Sequence, residues 1–201
     1  AHGFETARFA RRMDRRRSCR RIRRGQRGRD KIQSTGRRRY GVGKGTEISV
    51  LKEITFPHSL GLLYSAFTAF LGFEVNEGEY KVMGMAPFGK PLYLDKVYKL
   101  IQVEKDGSFR LNMDYFSFHY SASRMFNSKF EALFGSPRDP ESPFDPGDPA
   151  SRHYADLAAS VQLLLEEIGL RFIQYWLRRS GLRNIAVAGG VFSNVKFNQR
   201  V

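Results

Sequence analysis

The stretch HYADLAASVQLLLEEIGLRFIQYWLRRSG, residues 153–181, constrains the chain more than any other. Tyr154, Leu157, Ala158, Val161, Leu164, Leu165, Ile168, Phe172, Tyr175 and Trp176 recur at three- and four-residue spacing. That spacing gives a broad apolar face at the helical period, which has to be buried. Asp156 near the start, with Arg178 and Arg179 in the last turn before Gly181, suits the helix dipole. The stretch predicts one long core helix, against which the rest of the domain must pack.

The residues after that helix narrow the fold class. RNIAVAGGVFSN, residues 183–194, reads as a short buried strand that ends in paired glycines, and SNVKFNQRV reads as the beginning of a helix. Helix, strand, Gly-Gly, helix is the order of an α/β fold with a ligand at the carboxyl end of the strand.

Earlier elements are legible from the same rules. YGVGKG, from Tyr40, is a turn-rich entry, and TEISVLKEI alternates Ile48 and Val50, then Leu51 and Ile54, as a strand with a bulge. HSLGLLYSAFTAFLGF places Leu60, Leu63, Phe67, Phe70 and Leu71 at helical spacing, with Ser59 as N-cap and Gly72 as terminator. A helix is expected around LYLDKVYKLIQV, a strand pair around GSFRLNMDYFSFHY with Asp106 and Gly107 at its turn, and a short helix in SRMFNSKFEALFG closed by Gly135. The proline-rich SPRDPESPFDPGDPAS is expected as a loop.

Charge divides the chain in two. Residues 1–40 hold 15 Arg and 1 Lys against Glu5, Asp14 and Asp30, so nearly all of the net charge of +14 lies there. Residues 41–201 hold 18 basic and 17 acidic residues and are close to neutral. The basic part has no sustained helical or strand period and too few apolar residues to bury, so residues 1–39 are expected to be disordered. They hold no aromatic residue between Phe9 and Tyr40 for base stacking, which argues against a nucleic-acid arm.

The Arg to Lys ratio of 15:1 before residue 41 becomes 9:9 after it. Reading GC-rich DNA one base early turns GNC codons for Gly, Asp, Val and Ala into CGN arginine codons, so out-of-frame translation accounts best for residues 1–39. A basic tail without specific role and a nucleic-acid arm are the alternatives. Residues 40–201 form the second unit.

The single cysteine, Cys19, excludes an internal disulfide framework and a multi-cysteine zinc site, and a cytoplasmic location is expected. No run approaches the roughly 18 apolar residues of a membrane span.

Candidate site residues fall in three places. Gly189 and Gly190 at the end of the expected strand let backbone N–H groups approach a phosphate or ribose, and Asn194 follows within reach; a tight structural turn explains the glycines equally. In EGEYKVMGMAPFGKP, residues 77–91, Glu79 and Lys81 precede Gly84, Pro87 and Gly89, so a charged pair is presented beside a backbone turn; a solvated helix end is the competing reading. His58 either binds ligand or caps the helix that Ser59 begins. His2, His119 and His153 show no metal spacing.

FPHSLGLLYSAFTAFLGF, EGEYKVMGMAPFGKP, DLAASVQLLLEE and VAGGVFSN, in this order, resemble the carbamoyltransferase family of the nodulation and antibiotic O-carbamoyltransferases, over about residues 40–201. The resemblance implies the central part of the family's N-terminal domain, an α/β, actin-like ATPase fold (ASKHA, RNase H-like) related to the threonylcarbamoyl transferases of tRNA. It also implies the chemistry. A separate YrdC-like domain makes carbamoyl-adenylate from carbamoyl phosphate and ATP, and the actin-like domain passes the carbamoyl group to a hydroxyl on a small-molecule acceptor, at a site holding a ferrous-type metal.

By the same resemblance, Glu79 and Lys81 face polar groups of the ligand as catalytic residues. Gly84 allows close approach, Gly189, Gly190 and Asn194 contact nucleotide, and His58 and Ser59 lie on the acceptor side. The metal ligands and the YrdC-like domain are not in this sequence, and the family's Asp-Gly loop is expected where the arginine string stands. The chain is therefore expected to be an incomplete carbamoyltransferase, inactive alone. Another ASKHA acyl- or phosphotransferase is the enzymatic alternative, and nucleic-acid binding through residues 1–39 the non-enzymatic one.

Overall fold

The computed structural model describes residues 38–44 and 46–201, so the expectations for residues 1–37 lie outside the described residues. The chain mixes helices with two small antiparallel sheets. Strands β1 (Arg38–Lys44) and β2 (Glu47–Ile54) form one hairpin; β3 (Ile101–Val103) and β4 (Phe109–Leu111) form the other. The helices are α1 (Leu60–Phe70), α2 (Glu79–Met85), α3 (Leu94–Tyr98), α4 (Ser128–Phe134), α5 (Pro149–Ser180) and α6 (Val195–Arg200). Single 3₁₀ turns lie at Ala86–Phe88, Met113–Tyr115 and Gly190–Ser193.

The long helix forms as its periodicity requires, and it starts earlier than the apolar face alone indicates. Asp148 is the N-cap, accepting a hydrogen bond from the Ser151 amide, and Pro149 occupies the first turn. A proline there gives up an N–H that has no helical partner anyway, so the end of the expected loop belongs to the helix. Gly181 terminates it at φ 68°.

Against α5 pack α1, α2 with its following turn, and α3. The centre is aromatic: Phe67, Phe70, Phe116 and Phe130 are fully buried and Phe134 nearly so. Phe130 lies between Phe67 at 5.1 Å and Phe134 at 4.7 Å, in the tilted and edge-to-face geometries that ring quadrupoles favour. Ser59 caps α1 by accepting from the Leu62 amide, and Gly72 at φ 76° turns the chain after it, as the sequence predicts.

Three expectations are corrected. YGVGK, residues 40–44 of the expected turn, is strand: β1 carries Gly41 and Gly43 within its ladder. A Cβ on Gly41 would lie 2.7 Å from the Ser49 carbonyl oxygen, so the tight strand approach explains the glycine. The register passes from Tyr40↔Lys52 to Gly41↔Val50 and leaves Leu51 as the extra residue, which is the expected bulge.

IQV, expected as the end of a helix, is β3; α3 stops at Tyr98 and the turn at Asp106 and Gly107 joins β3 to β4. Residues 183–188 form no strand and are exposed. A strand needs a neighbour for its backbone groups, and among the described residues none pairs with this segment.

Also among the described residues, no helix is long and apolar enough to cross a membrane.

Candidate functional site

EGEYKVMGMAPFGKP divides into two halves with different work. Its second half is fastened to α5. A Cβ on Gly89 would lie 2.1 Å from the Ala155 carbonyl oxygen, so only glycine allows this approach. The Lys90 amide donates to Asp156 Oδ1 at 2.7 Å, and the Tyr93 amide donates to Ser160 Oγ at 3.1 Å. Asp156 and Ser160, both buried on the helix, thus supply acceptors to a chain segment that has no ladder of its own.

Its first half is helix α2. Glu79, half-buried at the start, accepts on Oε1 from Ser65 Oγ at 2.7 Å and from the Asn76 amide at 3.1 Å. Glu79 Oε2 has no hydrogen-bond partner among the described residues. Lys81 is exposed, with its Nζ 5.7 Å from the centre of the Phe73 ring. Gly84 is exposed in the helix, and a Cβ built on it meets nothing within 4 Å. Glycine inside a helix costs about 1 kcal/mol relative to alanine, and packing among the described residues does not require it here.

The Gly189–Asn194 segment lies after the exposed stretch. Gly189 has φ 106°, a conformation that side chains disfavour, and a Cβ on either Gly189 or Gly190 meets nothing within 4 Å. Asn194 caps α6: its Oδ1 accepts from the Phe197 amide at 2.9 Å. Its amide also pairs head to head with Gln162 of α5, with Nδ2 donating to Gln162 Oε1 at 2.9 Å and Oδ1 accepting from Gln162 Nε2 at 3.1 Å.

Gln162 in turn accepts from Tyr64 Oη at 3.0 Å and donates to Glu166 Oε1 at 2.8 Å, while Glu166 Oε2 accepts from Arg200 Nη1 at 2.9 Å. Tyr64, Gln162 and Glu166 are buried. Burial holds the Tyr64 phenol well above its ordinary range; the Asn194 side chain opposes this, and the charges of Glu79 and Glu166 add to it. Tyr64 reaches Asn194 through Gln162, and its neighbour on α1, Ser65, holds Glu79.

His58 sits apart from these groups. Its Nδ1 accepts from the Leu111 amide at 3.1 Å, so the ring secures an edge of β4 and is not the cap of α1. Burial, then the charge of Arg110, holds its pKa below the ordinary value. Ser59 is buried at its cap position. The structure thus relates Glu79 and Asn194 through α1 and α5, shows no such bonds for Lys81, Gly84 or Gly190 among the described residues, and gives His58 and Ser59 structural bonds. The sequence reading missed Tyr64, Gln162 and Glu166; for Gln162 and Glu166 the available signal was polar residues lying along the apolar face of α5, and Tyr64, on α1, carried no such signal.

A sequence model of the Carbamoyltransferase N-terminus matches residues 30–201. The chain belongs to the carbamoyltransferase family. Among its relatives, a Synechocystis protein, sll1178, described as uncharacterized, is 46% identical over 161 residues, covering 79% of this chain and 25% of that protein. The nodulation protein NolNO of Sinorhizobium fredii is 29% identical over 80% of the chain and 21% of its own length. The nodulation protein NolO of Bradyrhizobium diazoefficiens is 27% identical over 80% and 26%. The chain therefore spans about a quarter of the length of these relatives.

A ferrous-type metal is expected from the family resemblance, and the described residues do not fit it. Among the described residues, no group of three or more His, Cys, Asp and Glu side chains is arranged to hold a metal ion.

Proposed function

We propose that this chain supplies nucleotide-facing surface for an O-carbamoyl transfer, within an actin-like (ASKHA) frame. In this reading carbamoyl-adenylate, made from carbamoyl phosphate and ATP by a YrdC-like domain, is the donor. A hydroxyl oxygen of a small-molecule acceptor attacks the carbamoyl carbon. The bond from that carbon to the adenylate phosphate oxygen breaks, AMP leaves with the electron pair, and the hydroxyl proton passes to solvent or a base.

The observation that carries the reading is the open space over Gly84, Gly189 and Gly190. Three glycines in two family motifs meet no packing demand at Cβ, and backbone that close to the surface is what a phosphate or ribose can approach. Lys81, exposed on the same short helix as Gly84, supplies positive charge for the phosphate. Glu79 keeps one carboxylate oxygen on Ser65 and Asn76 and offers the other to a ligand donor. Asn194 Nδ2 gives one hydrogen to Gln162 and carries a second that is left for the nucleotide.

The test is ATP affinity of the 201-residue chain by calorimetry. Gly190→Val fills the open space with a branched side chain and is expected to abolish measurable binding. Lys81→Met should weaken it by about 1 kcal/mol, the scale of one partly solvated charge contact. Lys99→Glu, on exposed surface after α3, should leave it unchanged. Unchanged affinity in Gly190→Val and Lys81→Met would sink the site assignment.

A further inference from the structure

The amide network beneath Asn194 has no part in the transfer chemistry itself, yet it is built more completely than a simple helix cap needs. Gln162 uses its whole hydrogen-bonding capacity: Oε1 accepts from Tyr64 and Asn194, and Nε2 donates to Glu166 and Asn194. An N-cap requires only that Asn194 Oδ1 accept from the Phe197 amide. The additional bonds fix which way the Asn194 amide lies, because a flip would place donor against donor and acceptor against acceptor at both contacts with Gln162. Burial makes such a mismatch costly.

The network also has an anchored far end. Glu166, buried on α5, receives Gln162 on one oxygen and Arg200 of α6 on the other, so α6 is held at its Asn194 cap and again at its last residue. Between these points the Phe197 ring lies where a Cβ on Gly169 would stand, at 2.5 Å, which seats α6 directly on the α5 backbone. The Gly190–Ser193 turn leads into this fixed helix, and the Phe192 amide bonds to the Gly189 carbonyl at 3.0 Å.

We propose that Gln162 is a positioning residue for nucleotide binding: its amide, oriented by Glu166, sets the direction of the Asn194 amide and so the presentation of the Gly189–Gly190 backbone. This rests on the nucleotide reading above. Three groups bond to Gln162 or its partners from the packed elements: Tyr64 on α1, Glu166 on α5 and Arg200 on α6.

The experiment uses the whole chain, with ATP as the probe and calorimetry and amide hydrogen exchange as readouts. Gln162→Glu removes both donors and places a carboxylate against Glu166. It is expected to weaken ATP affinity roughly tenfold, the equivalent of about one net hydrogen bond at 1.4 kcal/mol per decade. Glu166→Gln added to it relieves the repulsion between carboxylates, because the side-chain amide at position 166 can donate to position 162, but it leaves Asn194 Oδ1 facing an acceptor. The pair should stay within about threefold of Gln162→Glu alone, whereas an effect of charge repulsion with no positioning would be relieved.

Ser160→Ala removes a different buried hydrogen bond of α5, the one to Tyr93, and is expected to lower thermal stability without changing ATP affinity. A double variant restored to wild-type affinity, or Ser160→Ala as weak in affinity as Gln162→Glu, would overturn the positioning role. Should wild type bind no ATP, the nucleotide reading fails by itself, and exchange decides the rest. Protection of the Phe197 amide is expected to fall in Gln162→Glu and to stay low in the double variant, and unchanged protection in Gln162→Glu overturns the proposal.

Discussion

Phe130 on α4 and Val50 on β2 are both apolar residues in regular elements, yet Phe130 is fully buried among other phenylalanines and Val50 is 50% exposed. The contrast extends to their regions. Around α1, α4 and α5 every apolar face meets another, and the rings of Phe67, Phe70, Phe126 and Phe134 surround Phe130. The β1–β2 hairpin instead leaves Ile48, Val50 and Leu51 in solvent, as the 183–188 segment leaves Ile185 and Val187.

The hairpin is tied to the rest of the described chain at a few points. Tyr40 stacks on Trp176 at 4.9 Å and donates to its carbonyl, Lys52 pairs with Asp106 at 2.8 Å, and Ile54 is buried. Apolar patterning specifies what an element can bury. Whether it does so depends on a partner of matching shape, and one region has its partners among the described residues while the other shows none over these positions.

Phe130→Ala strikes the packed region at its centre and is expected to cost about 4 kcal/mol, the scale of emptying a packed aromatic site, whereas Val50→Ala should change stability by no more than about 0.5 kcal/mol. Urea unfolding of both variants checks this, and equal losses would mean that the hairpin is packed as tightly as the core.

A second contrast lies within one motif. Gly89→Ala drives a Cβ into the Ala155 carbonyl and is expected to cost about 3 kcal/mol. Gly84→Ala, with open space above it, should raise stability by up to about 1 kcal/mol through helix propensity. Thermal unfolding of the pair sharpens the division of EGEYKVMGMAPFGKP into a packed half and an open half; a loss at Gly84 would erase it.

The smallest expected effect concerns the tether of the hairpin. Burial raises the Asp106 pKa, but the hydrogen bonds from Lys52 and Ser108 outweigh it and bring the carboxyl down to about 2. A carboxyl depressed by folding stabilises the folded state above its unfolded pKa, and this contribution disappears as pH falls through about 2. Asp106→Asn should therefore lose about 1 kcal/mol at neutral pH, discounted for solvent screening, with the difference from wild type closing between about pH 4 and 2. A difference independent of pH would mean that Asp106 acts through its turn geometry alone.

Much of the helical framework could be read in advance because its signals are local. Ser59, Gly72, Gly135 and Gly181 mark helix ends through side-chain acceptors and turn conformations that need no distant partner. The site was legible as motifs but not as an arrangement. The sequence pointed to Asn194 as a nucleotide contact, and nothing local to Asn194 announces that Gln162, 32 residues away, engages its amide. The expected strand at 183–188 shows the opposite failure, since a β pattern is only half of a pairing.

By itself, then, the sequence determined the long α5 helix, the capped α1 helix and the glycine-bearing motifs, because periodicity, caps and turn chemistry act over a few residues. Only the tertiary structure decided that Gly89 serves packing while Gly84 and Gly190 stand open, that His58 holds β4, and that Tyr64, Gln162 and Glu166 underlie Asn194. The physical reason is that close approach and buried hydrogen bonds join atoms whose neighbours in space are remote along the chain, and a residue type carries no record of which partner will satisfy it.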